Sequence, residues 1–374
     1  MGITAIADRW RYVADDGVSA SFGLAADEYM AQRPTGDPVL RLYSYRSHCA
    51  LIGRFQRLDA EVHRQYCDDA GITLNRRATG GGAILMGQDQ LGLAITIPAA
   101  HQSARPEDVR ELFRRYSRGL TEGLATLGID ASFHRKNDLE VDGRKLAGMG
   151  FYFDKSGGLL FHTSLLVDLD IPLMLRVLKT PFEKISDKEI ATVADRMTTV
   201  RRECGNAIGL DEVRQAIREG YQRALQLELV SGEFTEAERI GIGLLEDDRY
   251  ATPEWIDQTT RTSETFGYSR VKTPGGLLEV HLTLTGNVTK AVYLTGDFFA
   301  QETRVAQVER QLKRVPVTSE AVAQALEPFY RDGDSALPGV PRGRLVRAVL
   351  TAAEAAGGAT GGSLPKGCFV GAAS

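Results

Sequence analysis

The sequence predicts a two-domain protein of the α/β or α+β class, and three observations support this prediction. Its 374 residues exceed the usual size of one domain. Strand and helix patterns are interleaved over residues 1–230. A polar, weakly periodic stretch then precedes a second set of strands and helices. We expect an α/β domain at 1–230, a linker at 231–254, a small α+β domain at 255–335, and a helical and flexible tail at 336–374.

The elements of the first domain each have their own signal. The segment 41–55 looks extended and is broken near its end by Gly53. The short β-branched run at 91–97 is typical of a buried strand. After Pro106, apolar residues recur every three or four positions until Gly128, which predicts an amphipathic helix with a defined start and stop. The remaining predictions are a helix at 19–32, a strand at 159–169 and a helix that includes Val213, Ile217, Tyr221 and Ala224.

The second domain has a clear strand pattern. Between residues 275 and 299 apolar and polar side chains alternate, with Leu278, Val280 and Leu282 on one face. Gly286-Asn287 stands where a two-residue hairpin turn fits. Two helices follow, at 305–312 and 322–329, and the tail has a short helix at 343–355.

Composition excludes several classes of protein. The chain is 43% hydrophobic and 25% charged with a net charge of −4, so it is globular and has no general attraction to nucleic acid or anionic membranes. Its N-terminus lacks the apolar core of a signal peptide, and no apolar run is long enough to cross a bilayer. Four widely spaced cysteines argue against a zinc site or a disulfide framework. We expect a soluble, cytoplasmic protein with neither nucleic acid nor membrane as partner.

Three consecutive glycines mark the first candidate site, in RRATGGGAILMG at residues 76–87. Glycine lets backbone amides approach a ligand closely, and successive amides can form an anion-binding nest. Arg76 or Arg77 would add charged donors. The spacing fits neither a P-loop nor a dinucleotide-binding fingerprint. From these residues alone, a surface turn and a ligand-binding loop both remain open.

A lysine marks the second candidate site, in KNDLEVDGRKLAGMG at residues 136–150. Lys145 follows a turn and precedes Gly148 and Gly150. Small neighbours would let a ligand approach the strand while the ammonium supplies positive charge. A β-hairpin with a solvated lysine fits the same pattern.

Four motifs occur together in the order ALIGRFQ (50–56), RRATGGGAI (76–84), KNDLEVDGRKLAGMG (136–150) and FHTSLLVDLD (161–170). In order and spacing they resemble the lipoate-protein ligases, relatives of the biotin ligases and octanoyl transferases. Residues 272–299 are similar to the accessory domain of the two-domain members. The resemblance implies a mixed-sheet catalytic domain of the biotin/lipoate ligase type with a small C-terminal domain.

The resemblance also implies a reaction. Such enzymes join lipoate or octanoate to ATP, which gives an acyl-adenylate and pyrophosphate, and then transfer the acyl group to a lysine. Because a carboxylate attacks a phosphate, the site needs fixed positive charge and amide donors. ATP would bring Mg²⁺, which keeps many of its waters, and no protein residues are assigned as metal ligands.

Residue roles follow from the match to the family motifs. Lys145 is expected to contact the acyl carbonyl and phosphate oxygens, and Asp138 the adenosine or the metal side. Ile84 and Leu85 would line the acyl slot, and Gly148 would permit close approach of the adenylate. The other residues expected to bind the acyl-adenylate are Arg77, Gly80, Gly81, Gly82, His162 and Ser164.

The expected partners are lipoic or octanoic acid and a protein that carries a lipoyl domain. That carrier would be a 2-oxoacid dehydrogenase, the glycine-cleavage H protein or a specialised lipoyl carrier. We therefore predict a lipoate-protein ligase, an AMP-forming enzyme of protein lipoylation.

Two alternatives stay open because the chain departs from the family pattern. Leu85-Met86-Gly87 stands where many relatives have an aromatic residue and a histidine, and His162-Thr163-Ser164 stands for His-Gly-Thr. An ATP-independent octanoyl transferase would need a thiolate, for which Cys204 beside Arg201 and Arg202 is the best candidate. A non-catalytic homologue that only binds lipoyl groups is the other alternative.

Overall fold

The computed structural model describes residues 8–101, 109–133, 137–179, 187–205, 207–258, 262, 265–330 and 335–359. Its chain divides into two units, Met1–Gln258 and Thr259–Ser374. Among the described residues, no helix is long and apolar enough to cross a membrane.

The framework of the first unit is a mixed sheet. The strands are β1 (Asp8–Val18), β2 (Val39–Tyr45), β3 (Cys49–Ile52), β4 (Thr73–Arg76), β5 (Ile84–Met86), β6 (Gln90–Ile97), β7 (Ser132–Phe133), β8 (Asp138–Val141), β9 (Arg144–Phe153), β10 (Leu159–Leu166) and β11 (Leu227–Ser231). Over the described residues, eight of them form one sheet in the order β11-β1-β2-β6-β10-β9-β8-β7. β1 is parallel to β2 and β11, and the other neighbours are antiparallel. β3, β4 and β5 form a separate small sheet in the order β4-β3-β5.

The helices of the first unit include those expected from the apolar pattern. They are α1 (Ala20–Gln32), α2 (Leu58–Glu61), α3 (Arg64–Asp69), α4 (Val109–Thr126), α5 (Ile171–Val177), α6 (Asp187–Ala194), α7 (Val200–Cys204), α8 (Leu210–Leu225), α9 (Glu236–Leu245) and α10 (Pro253–Ile256), with a 3-10 turn at Ala99–His101 and a π-helical turn at Glu246–Tyr250. α1 begins after Ser19, whose hydroxyl accepts the amide of Phe22 as an N-cap. The mixed sheet and its helices confirm the predicted fold class.

Two apolar layers cover the two faces of the large sheet. One face packs against α4 and α8, where Phe161 of β10 is buried with Leu120 and Ile217. Because side chains alternate along a strand, Leu160 of β10 points the other way. It is buried in the layer formed with α1 and the small sheet, which includes Met86 of β5. The motif residues of the candidate site lie on this second face.

Residues 231–254, expected to be a linker, are folded in the structure. α9 begins with a capping box in which Thr235 and Glu238 satisfy each other's backbone amides. On α1, Glu28 is fully buried and accepts hydrogen bonds from Tyr250 and Arg249 of the π-helical turn. The polar residues of this segment therefore find partners within the first unit, whose boundary falls after Gln258.

The second unit contains an antiparallel sheet with helices. Its elements are β12 (Gly267–Thr273), β13 (Gly276–Thr285), β14 (Val288–Gly296), α11 (Glu302–Gln311), α12 (Ser319–Leu326), a 3-10 turn at Glu327–Phe329 and α13 (Arg342–Ala359). The sheet order is β12-β13-β14, and Gly286-Asn287 joins the last two strands. Gly286 has a φ of +60°, a value that favours glycine, so the predicted hairpin turn is confirmed.

Part of the expected tail belongs to the folded second unit. Leu345, Val349 and Ala352 of α13 are buried, and their spacing places them on one side of the helix. The hydroxyl of Ser269 on β12 donates to the carbonyl of Ala348 at 2.6 Å. Residues 360–374 of the expected flexible tail, with Cys368, lie outside the described residues.

Candidate functional site

One row across the large sheet brings together three of the predicted site residues. Asp138 of β8 pairs with Gly148 of β9, and Gly148 pairs with Ser164 of β10. Gly92 of β6 continues the row beyond Ser164. Residues paired across antiparallel strands point to the same face, here the one opposite α4 and α8. The row therefore has an acidic side chain at one end and two glycine positions without side chains.

Lys145 reaches this row from the start of β9. Its Nζ lies 2.7 Å from Oδ1 of Asp138, and the two side chains are 36% and 30% exposed. A Cβ on Gly148 would stand 3.1 Å from Nζ, so the missing side chain is what lets the lysine lie along the strand. The amide of Lys145 donates to the carbonyl of Arg196, and its carbonyl accepts from Thr198. The structure thus brings Lys145, Asp138 and Gly148 together, while their roles toward a ligand stay predictions.

His162 links the large sheet to the glycine loop, residues 77–82. Its Nε2 lies 2.7 Å from Oγ1 of Thr79. Gly150 pairs with His162, and a Cβ on Gly150 would approach Nε2 to 2.5 Å, so only glycine leaves room for the ring. Burial and the Arg77 guanidinium lower the pKa of His162 to about 3. The ring is neutral near pH 7, so it positions Thr79 but adds no positive charge.

The glycine loop rests on the chain that leaves β3. The amide of Arg77 donates to the carbonyl of Ile52, and the amide of Arg54 donates to the carbonyl of Thr79. A Cβ on Gly53 would collide with the carbonyl oxygen of Gly81. Gly80 and Gly81 are buried, whereas Gly82 is exposed and has open space beside its Cα. Gly82 is therefore the member of the triple glycine that a ligand can approach.

Arg77 shapes the glycine loop from inside. It is buried, and its guanidinium donates to the carbonyls of Leu51 at 2.9 Å and Gly82 at 2.8 Å. Burial lowers its pKa to about 10, which leaves it charged at neutral pH. Arg77 therefore stabilises the conformation of the loop through these hydrogen bonds. A direct contact between Arg77 and phosphate oxygens stays a prediction.

The two predicted acyl-slot residues point in opposite directions. Leu85 is buried with Ala50 and Ile52 in a cluster on the far side of the small sheet. Ile84 packs instead with the layer between the small sheet and the large sheet. Because neighbours on one strand alternate, the structure does not bring Leu85 to the face that carries Ile84.

The departures from the family pattern have local explanations. Thr163 is buried, and its hydroxyl donates to the carbonyl of Gly148 at 2.9 Å. Since Thr163 follows His162 on β10, its side chain points away from the glycine-lined face and leaves that face open. At the other departure, a Cβ on Gly87 would lie 2.8 Å from the ring of His48. A histidine from the preceding segment therefore fills the space beside Gly87.

The described cysteines are poor candidates for a thiolate nucleophile. Cys204 is exposed, but its Sγ donates to the carbonyl of Leu127, just after the end of α4 and thus on the other side of the sheet. Its pKa is raised by burial of the sulfur and by the carboxylates of Glu203 and Glu212. Cys49 and Cys67 are buried, which raises the pKa of Cys49 to about 12 and also raises that of Cys67.

Three residues of the site were assigned no role from the sequence. Gly53, Thr79 and Gly150 all lie within the quoted motifs, but their functions depend on distant partners. Thr79 meets His162 across 83 positions of the chain. The signal for Gly53 was present, because a glycine directly after a short buried strand indicates close approach of another backbone. Among the described residues, no cluster of three or more histidine, cysteine, aspartate or glutamate side chains could hold a metal.

Comparison with known proteins identifies the class to which this fold and site belong. Residues 19–222 match the model of the lipoyl protein ligase A/B catalytic domain. The chain therefore belongs to the lipoyl protein ligase A/B family. Residues 264–332 match the bacterial lipoate protein ligase C-terminus, as in the two-domain form of that family.

Known relatives include both a transferase and ligases. Octanoyltransferase LipM of Brevibacillus brevis is 28% identical over 274 residues, which cover 66% of this chain and 98% of the relative. A bi-partite lipoate protein ligase from Thermoplasma acidophilum, whose structure has been solved, is 29% identical in sequence to this chain. The two structures have a TM-score of 0.59, and the match covers 66% of this chain and 96% of that chain. A lipoate-protein ligase A solved with ATP is 27% identical, with a TM-score of 0.57 and coverage of 67% and 98%.

Proposed function

We propose that the protein is an ATP-dependent, AMP-forming lipoate-protein ligase. It activates lipoate or octanoate and transfers the acyl group to a lysine of a lipoyl carrier domain. The observation that carries this proposal is the position of Lys145. Its ammonium lies over Gly148, beside Asp138, on the face that the glycine loop meets through Thr79 and His162. A fixed cation there serves a reaction in which a carboxylate must approach a phosphate.

The residues present fit a nucleoside triphosphate and a carboxylic acid. Lys145 would neutralise the oxygens that come together, and Asp138 would hold the ammonium in place through their 2.7 Å contact. The exposed Gly82 gives a phosphate access to the loop that Arg77 braces. When bound, Mg-ATP supplies the phosphorus that the acid's carboxylate attacks, with pyrophosphate as leaving group. Mg²⁺ would be held mainly by phosphate oxygens and water, with Asp138 as an available carboxylate.

One comparison favours a ligase. The second unit matches a lipoate protein ligase C-terminus. The coverage of the relatives does not separate the two functions, because the octanoyltransferase and both solved ligases are each matched by about two thirds of this chain. ATP and lipoate therefore enter this proposal as substrates, with a lipoyl domain as the partner protein. A cytoplasmic location, where ATP is available, belongs to the same proposal.

The second candidate is an ATP-independent octanoyl transferase, which the similarity to octanoyltransferase LipM favours. That reaction passes through an acyl-thioester and needs a reactive thiolate. The position and raised pKa of Cys204 count against it.

An acyl-donor comparison separates the two functions. The full-length protein is mixed with a lipoyl domain and given either octanoate with Mg-ATP or octanoyl acyl carrier protein without ATP. Intact mass spectrometry of the lipoyl domain reads the transfer, and Cys204→Ser is tested beside the unchanged protein. We expect acylation only with octanoate and Mg-ATP, at the same rate in both proteins. Acylation from the carrier protein that disappears in Cys204→Ser would establish the transferase instead.

A further inference from the structure

Arg76, the first arginine of the glycine motif, is not part of the site described above. Its side chain is among the largest that are fully buried, at 1% exposed. The guanidinium donates hydrogen bonds to carbonyl groups from two stretches that are about 200 positions apart in the chain. A buried guanidinium with this many acceptors fixes both stretches, because its planar fork holds its donors in a rigid geometry.

The first stretch is the end of α10, where the first unit ends. Arg76 Nε donates to the carbonyl of Trp255 at 2.9 Å, and Nη2 donates to those of Ile256 at 3.0 Å and Asp257 at 3.1 Å. A cation among the last carbonyls of a helix is also favoured by the helix dipole. In return, the indole Nε1 of Trp255 donates to the carbonyl of Arg76 at 2.9 Å. The side chain of each residue thus donates a hydrogen bond to the backbone carbonyl of the other.

The second stretch supports the glycine loop. Nη1 of Arg76 donates to the carbonyls of Gly53 at 3.2 Å, Arg54 at 3.1 Å and Gln56 at 2.6 Å. Gly53 is the residue on which the carbonyl of Gly81 rests. The connection therefore runs from residues 255–257 through Arg76 to residues 53–56, and from there to the glycine loop.

A second contact joins the same two stretches. Nη1 of Arg54 donates to the side chain of Gln258 at 2.7 Å, and its guanidinium lies 4.7 Å from the ring of Trp255. The end of the first unit is thus joined to the site loops through Arg76 and Arg54.

We propose that Arg76 is a positioning residue that couples the segment 253–258 to the glycine loop. Ligand binding at the loop changes the surroundings of Trp255, and a change in the segment is transmitted to the loop. The segment is the C-terminal end of the first unit. The inference rests on the proposed function for the identity of the ligands, lipoate or octanoate and Mg-ATP.

Trp255 can report on this coupling directly. The chain has two tryptophans, Trp10 and Trp255, so Trp10→Phe leaves Trp255 as the only indole. Lipoate, octanoate and Mg-ATP are added separately and together to the full-length Trp10→Phe protein, and the emission spectrum is recorded. We expect a shift or intensity change that saturates with ligand. A spectrum that none of these additions changes would overturn the coupling, whatever the activity is.

A matched pair of substitutions assigns the coupling to Arg76. In the Trp10→Phe protein, Arg76→Lys keeps a positive charge but loses the planar fork, so we expect the emission response to disappear. The value of kcat/KM for pyrophosphate release should fall about 10- to 100-fold, since the loop loses its support. Arg64→Lys is the control, because Arg64 also contacts the segment, through the Asp257 side chain, but is half exposed and away from the glycine loop. It should keep both the response and the activity.

The outcomes separate this inference from the proposed function. Pyrophosphate release without any emission change leaves the function intact and rejects the coupling. An emission change without pyrophosphate release supports the coupling and rejects the ligase. If Arg76→Lys fails to fold, the response of the Trp10→Phe protein still decides the question of coupling. An unaltered response in a folded Arg76→Lys protein would show that the connection does not pass through Arg76.

Discussion

Lys145 lies where a small neighbour and an acidic partner hold a charged side chain against a strand. Gly148 removes the side chain that would block it, and Asp138 fixes its ammonium. His162, in contrast to Lys145, carries no charge at neutral pH because burial lowers its pKa. Its ring forms a hydrogen bond with Thr79. Among these residues, Lys145 therefore supplies the charge and His162 the geometry.

Loss of the ammonium should remove most of the activity. We expect Lys145→Ala to lower kcat/KM for pyrophosphate release about 100-fold, because it removes a positive charge placed at the reacting oxygens. The control is Lys155→Ala, which changes an exposed lysine in the turn between β9 and β10. Circular dichroism should show both variants folded. Full activity of Lys145→Ala would mean that the lysine has no part in the reaction.

The neutral state of His162 predicts a pH dependence of stability. Its pKa is about 3 in the folded protein against an ordinary value of 6.5, so between these values the unfolded chain binds a proton that the folded chain does not. Its contribution is therefore fully present above pH 6.5 and is lost as the pH falls toward 3. Between pH 6 and 4 we expect the free energy of unfolding to fall less steeply with pH in His162→Asn than in the unchanged protein. The two slopes should differ by up to about 1.4 kcal/mol per pH unit, which corresponds to one proton.

Urea unfolding at several pH values measures this slope. His101→Asn serves as the control, because His101 is exposed in the 3-10 turn after β6. The control should keep the slope of the unchanged protein. Equal slopes for His162→Asn and the unchanged protein would contradict a buried, neutral His162.

At the scale of elements, the strand and helix patterns were predictable because they depend on local periodicity. The alternation in β13 and the helix that ends before Gly128 needed no knowledge of distant residues. The folding of residues 236–256 onto the first unit was not predictable, because its polar residues have distant partners. Glu28, for example, binds Tyr250 across 222 positions of the chain. For the same reason the Lys145 hairpin was visible in the sequence, whereas the contact between Thr79 and His162 was not.

Two glycines of α9 test whether that helix packs on α1. A Cβ on Gly241 would collide with the ring of Tyr29 on α1, whereas Gly243 has no atom within 4 Å of that position. Alanine normally stabilises a helix by about 1 kcal/mol over glycine. We expect Gly243→Ala to raise the free energy of unfolding by up to that amount and Gly241→Ala to lower it. Denaturant unfolding measures both, and an equal gain in the two variants would show that α9 is not packed against Tyr29.

At the scale of the whole molecule, the mixed sheet, the glycine loop and a second unit of the ligase type occur in one chain. The family includes relatives named as transferases and as ligases, so membership alone does not choose the reaction. The proposal of a ligase rests on the charged groups available. Lys145 is present on the site face, and the described cysteines have a raised pKa.

Pyrophosphate release in the absence of any acceptor protein tests the adenylation reaction most directly. The full-length protein is mixed with Mg-ATP and lipoate, octanoate or biotin, and pyrophosphate is followed by a coupled assay. We predict release that requires both ATP and lipoate or octanoate, and that is lost in Lys145→Ala. If neither lipoate nor octanoate causes release from a folded protein, the protein is not an AMP-forming lipoate ligase.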